Sequence, residues 1–122
     1  MFEQFKALGQ VAALLKDKDR LRQIAAEFRE RVDRITVEAE AGGGAVRVTV
    51  SGRMQVLDVR MDPAVIAALA GAPGAAVQVQ SLIREATNDA LARAQALVRE
   101  AAERQAAELG LPGLGGLGGL LP

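Results

Sequence analysis

Seven cations, Lys16, Lys18, Arg20, Arg22, Arg29, Arg31 and Arg34, fall within one short stretch of the N-terminal third. Lysine and arginine at this density suit contacts to phosphate oxygens, a chemistry that needs positive charge and donors but no base-reading code. Arg47 and Arg53 lie further along and are weaker candidates for the same contacts. The bland reading is a solvated helix face, because Asp17, Asp19, Glu27, Glu30 and Asp33 interleave with the cations at spacings that allow i,i+3 and i,i+4 pairs. Glu38 and Glu40 share one strand face and could serve as acid and base, but two solvated carboxylates explain them more simply.

Most other chemistry is excluded by composition. The chain has no His, Cys, Trp or Tyr. There is therefore no imidazole base, no thiolate, no disulfide and no nitrogen or sulfur metal ligand. Only Phe2, Phe5 and Phe28 are aromatic, too few for a base-stacking platform. Gly42-Gly43-Gly44 is not followed by Gly-Lys-Ser/Thr and does not open a helix, so it is a turn and not a phosphate-cradling loop. The expectation is a protein that is not an enzyme and uses no cofactor, no metal and no small-molecule substrate.

Three kinds of element must position these residues. From Phe2 to Arg34 there is no Pro, only Gly9 as a weak point, and Leu14, Leu21, Phe28 and Ile35 recur every seven residues, which predicts one long helix with a seam for another helix. From Ile35 the period shortens to two. Thr36, Glu38 and Glu40 alternate with Val37, Ala39 and Ala41, and after the Gly turn Val46, Val48 and Val50 alternate with Arg47, Thr49 and Ser51. A turn at Ser51-Gly52-Arg53 leads to a third strand from Met54 to Met61, with Leu57, Val59 and Met61 on one face. The seam residues and the three valines are expected core or dimer contacts, since three short strands bury little alone.

Asp62-Pro63 starts a short helix reaching about Ala70, because a carboxylate can cap free amides and proline suits the first helical position. Beyond Gly71-Ala72-Pro73-Gly74, apolar residues from Val79 to Ala101 predict a second long helix ending near Leu109. Asn88 and Asp89 are poor helix formers inside it, which suggests a polar contact at a helix or dimer junction. Residues 110–122 are a Gly/Leu/Pro-rich, low-complexity segment expected to be a flexible tail. The class is α+β: long N-terminal helix, three-stranded antiparallel meander, short helix, long C-terminal helix, forming one domain over 1–109.

With 122 residues, one core is all the chain can hold, and 24 of its apolar residues are alanine, so that core is thin. Fifteen basic and fifteen acidic residues give zero net charge, which argues against a strongly electrostatic binder. The balance is uneven, however: residues 1–34 hold eight cations and six anions, and residues 62–109 hold four and six. No signal peptide or membrane-spanning run is legible, so a cytoplasmic protein with no membrane partner is expected.

Gly42-Gly43-Gly44-Ala45-Val46-Arg47-Val48-Thr49-Val50-Ser51-Gly52, followed by Val59-Arg60-Met61-Asp62-Pro63 and later by Ala86-Thr87-Asn88-Asp89-Ala90, resembles the YbaB/EbfC family of bacterial nucleoid-associated proteins. The resemblance runs through nearly the whole chain, including the Gly/Leu/Pro tail. It implies a tweezer-like homodimer that binds duplex DNA with little sequence preference and alters its conformation, with effects on nucleoid organisation and gene expression. A nucleoid location in the cytoplasm would follow. The neutral total keeps an alternative open, a dimeric protein–protein interaction module without intrinsic DNA binding.

Overall fold

A computed structural model describes residues 2–110; the tail 111–122 lies outside the described residues. The elements run α1 (Phe2–Lys16), α2 (Lys18–Asp33), β1 (Thr36–Ala41), β2 (Val46–Ser51), β3 (Val56–Met61), α3 (Pro63–Gly71) and α4 (Ala75–Glu108). The described residues group into two compact units, one of residues 2–32 with 98–110 and one of residues 33–97.

The N-terminal stretch is two helices where one was expected. The interruption falls at Asp17 and not at Gly9, which sits inside α1. Asp17 is an acceptor-rich residue that competes for backbone donors: its Oδ1 accepts from the Arg20 amide at 3.1 Å, and its carbonyl accepts from the Leu21 amide at 3.1 Å. Capping the second helix thus outweighs continuing the first. Leu21, Ile24, Phe28 and Val32 are half-buried along α2, and the buried Gln105 of α4 donates from Nε2 to the Ile24 carbonyl at 2.7 Å. The Leu14 side chain lies outside the described residues.

In the second unit the strands form one antiparallel sheet in the order β1-β2-β3. Gly42, Gly43 and Gly44 all adopt positive φ, at 67°, 65° and 92°, so three residues without Cβ carry a hairpin turn that other side chains would strain. Alternation does what it predicts for β1 and β2: Val37 and Ala39 are buried, and Val46, Val48 and Val50 are fully enclosed. Ala86, Ala90 and Ala94 of α4 complete this core, with Ile35, Leu82 and Ile83 packed around it. Alanine at i, i+4 and i+8 lets the helix backbone approach the valine row closely, so the core is tight although its side chains are small.

The third strand departs from simple alternation. It begins at Val56, two residues later than expected, because the preceding turn runs through Met54 at φ 62° and closes with the Ser51 amide donating to the Gln55 carbonyl at 2.9 Å. Thr49 pairs with Asp58 but Val50 pairs with Val56, so Leu57 is the extra residue of a bulge. Val56, Leu57 and Val59 of this edge strand are exposed. Asp62 caps α3 as the sequence indicates, its Oδ1 accepting from the Ala64 amide at 2.8 Å. Because Ala90 has no room above it, Ala90→Leu is expected to lower the unfolding free energy by about 1–3 kcal/mol through overpacking, measurable as a drop in the urea midpoint at unchanged m-value.

Candidate nucleic-acid interface

With about 3.6 residues per turn, Lys18, Arg22 and Arg29 fall within roughly 40° of one another around α2 and extend over some 16 Å of its length. This stripe borders the half-buried apolar face of Leu21, Ile24, Phe28 and Val32. Arg20 and Arg31 border the same face on its other side. Lys16 closes α1 one residue before the break.

Neighbouring carboxylates decide which cations can reach an external anion. Arg31 is bound to Glu108 at 2.5 Å and is half-buried. Arg53 grips Asp33 with two bonds, Nε to Oδ1 at 2.7 Å and Nη2 to Oδ2 at 3.1 Å. Arg47 faces Glu40 across the β1–β2 pair, Nε to Oε2 at 3.6 Å. Arg34 and Glu30 are also engaged. Among the described residues, Lys16, Lys18, Arg20, Arg22 and Arg29 are exposed and in no ion pair.

Of the acids at helical spacing from those five, Asp17 and Asp33 are engaged elsewhere, while Asp19, three residues from both Lys16 and Arg22, pairs with neither. Asp17, three residues before Arg20, spends its carboxylate on the helix cap. Asp33, four residues after Arg29, is turned to Arg53. Lys18 has no carboxylate at i±3 or i±4 at all. A solvated, self-neutralised face therefore describes Arg31, Arg34, Arg47 and Arg53 better than it describes the α2 stripe. Exposed pairs of this kind are worth about 0–1 kcal/mol each, so a polyanion of high charge density can still compete for the paired cations.

The remaining candidates resolve plainly. Glu38 and Glu40 are exposed on β1, and Glu40 serves Arg47. Asp89 pairs with Arg93 one turn along α4 at 2.9 Å, while Asn88 is exposed. Three further cations without an ion pair among the described residues, Lys6 on α1 and Arg84 and Arg99 on α4, are not among the sequence candidates; Arg84 could have been found, since no acid stands at i±3 or i±4. An open cleft of about 320 Å³, lined by Gln10, Ala13, Asp17, Arg20 and Leu109, lies at the helix break. Among the described residues no group of acidic side chains is arranged to hold a metal ion, and no helix is long and apolar enough to cross a membrane.

The three-stranded sheet belongs to the unit of residues 33–97 and the cationic stripe to the other unit. The family model for the YbaB/EbfC DNA-binding family matches residues 8–109, and the chain belongs to that family. A relative named nucleoid-associated protein from Syntrophobacter fumaroxidans is 37% identical over 114 residues, covering 93% of each chain. Another of that name from Moorella thermoacetica is 31% identical over 106 residues, covering 87% of this chain and 97% of its own. The fold is shared with a crystal structure of the uncharacterized protein HP0035 from Helicobacter pylori at a TM-score of 0.53, 19% identity, 69% coverage of this chain and 92% of that one.

If Asp17 acts as the cap, Asp17→Ala should destabilise the protein by about 0.5–2 kcal/mol and Asp17→Asn should restore most of the loss, read from thermal unfolding curves.

Proposed function

We propose that this chain is a nucleoid-associated protein of the bacterial cytoplasm that binds duplex DNA as a homodimer, with little sequence preference, and alters the conformation of the duplex. The observation that carries the reading is the stripe Lys18, Arg22 and Arg29, with Lys16 and Arg20 beside it, all five exposed and in no ion pair, with Asp17 engaged at a helix cap and Asp33 with Arg53. Cations in a row meet the phosphates of any sequence equally well, and nothing in the set favours a particular base edge. Binding by displaced counterions is steeply salt-dependent.

Homodimerisation is supported by the apolar surface of β3 and the helix after it. Val56, Leu57 and Val59 are 43% to 55% exposed, and Ile66 and Leu69 of α3 add to them. A sheet-edge strand with three exposed aliphatic residues is a liability in water, and a second copy of the same face covers it most simply. Two copies present the cationic stripe twice, at a spacing set by the dimer, and a duplex held at both adjusts its shape to that spacing.

Random-sequence duplex should bind in an anisotropy titration at low salt and be released as salt is raised, with similar affinity for unrelated sequences. No binding at low salt, or binding indifferent to salt, would contradict the reading. In light scattering the protein should have the mass of a dimer at micromolar concentration and Val59→Asp that of a monomer; a monomeric wild type would remove the dimer from the proposal.

A further inference from the structure

The first helix carries a second apolar seam that its own packing leaves uncovered. Phe5, Leu8, Ala12 and Leu15 follow one another at spacings of three, four and three, the pattern by which a helix addresses a partner along one line. All four are exposed in the chain, Phe5 at 70%, Leu8 at 64% and Leu15 at 65%. Among the described side chains of α1 only Gln10 and Val11 are half-buried; Gln10 lies on the opposite side of the helix and Val11 flanks the seam about 80° from its centre. The seam ends where α1 ends, since the next positions in the pattern are Asp19 and Arg22.

The chain continues past α4 close to the middle of this helix. Gly110, at φ 74°, comes so near to Gln10 that a Cβ placed on it would lie 3.5 Å from Gln10 Oε1. Twelve residues follow, with no charged side chain among them. Leu111, Leu114, Leu117 and Leu120 recur every third position. In an extended chain of three residues per turn, all four leucines stand on one ridge about 9 Å apart.

We propose that the chain's own C-terminal segment, residues 111–122, lies over α1 and covers the Phe5–Leu8–Ala12–Leu15 seam with its leucine ridge. Reach allows it: twelve residues at about 3.1 Å each span roughly 37 Å. The path from Gln10 around half of a helix some 10–12 Å across and along half its length is about 27 Å. The intervening glycines let the backbone lie close against the helix. Tethering sets an effective concentration in the millimolar range, about a thousandfold above that of a separate partner at micromolar level. That advantage favours this segment over a second copy or another protein.

Because the chain contains no cysteine, a single Gly118→Cys substitution in the full chain gives a unique site for a nitroxide label. The expected result is loss of more than half of the amide signal intensity at Phe5, Leu8, Ala12 and Leu15 relative to the reduced label, in spectra of the isotopically labelled chain that carries the nitroxide. Adding Leu114→Ser, Leu117→Ser and Leu120→Ser should return that intensity. A co-refolded mixture of nitroxide-bearing unlabelled chains with isotopically labelled chains lacking the nitroxide isolates contacts between copies. Full intensity at the seam, broadening seen only in that mixture, or broadening that survives the serine substitutions would each overturn the proposal.

Discussion

Closure of three alanines over three valines is the contact on which the rest of the sheet-bearing unit depends. β2 is the central strand, and Val46, Val48 and Val50 on one of its faces are fully enclosed. They are enclosed because Ala86, Ala90 and Ala94 of α4 stand directly over them. Larger side chains on the helix would hold it further off, and smaller ones on the strand would leave voids. Since strand side chains alternate, fixing the valines inward fixes Arg47 outward, opposite Glu40. Gly42 shows how tightly the hairpin turn is drawn in: a Cβ there would meet Leu82 Cδ1 at 3.0 Å.

The charged surface follows a different rule, in which each carboxylate serves the donor that its backbone position makes available. Asp17 turns to the free amides of a helix start, Asp33 to the planar fork of Arg53, and Glu108 to Arg31. Zero net charge thus describes the sum and not the pattern. Cancellation is concentrated at Arg31, Arg47, Arg53, Arg60, Arg93 and Arg104, each within reach of an acid. Lys18, Arg22 and Arg29 of α2 are left outside these pairs.

Much of the fold was legible because the signals were local and periodic. A change of period at Ile35, a run of three glycines and an Asp-Pro pair each mark a boundary with a physical cause, and the hairpin turn and the α3 cap fall there. What was illegible depended on competition between comparable options. Gly9 and Asp17 both weaken a helix, and only the cap formed by Asp17 decides between them. The β3 bulge at Leu57 interrupts alternation without a Gly or Pro to announce it. Arg20 and Arg29 each have a single acid at helical spacing, Asp17 and Asp33, and that both acids turn to other partners could not be read from order alone. Gln105, buried against a backbone carbonyl of α2, gave no sign in a helix end of mixed alanine and charged residues.

The most direct measurement is the slope of log affinity against log salt for random-sequence duplex, compared between the wild type and two triple variants. Each phosphate contact contributes about 0.9 to that slope on duplex DNA. The account predicts that Lys18→Ala, Arg22→Ala and Arg29→Ala together flatten it markedly, while Arg31→Ala, Arg47→Ala and Arg53→Ala change it little. Equal slopes for the wild type and the Lys18, Arg22 and Arg29 variant would contradict it.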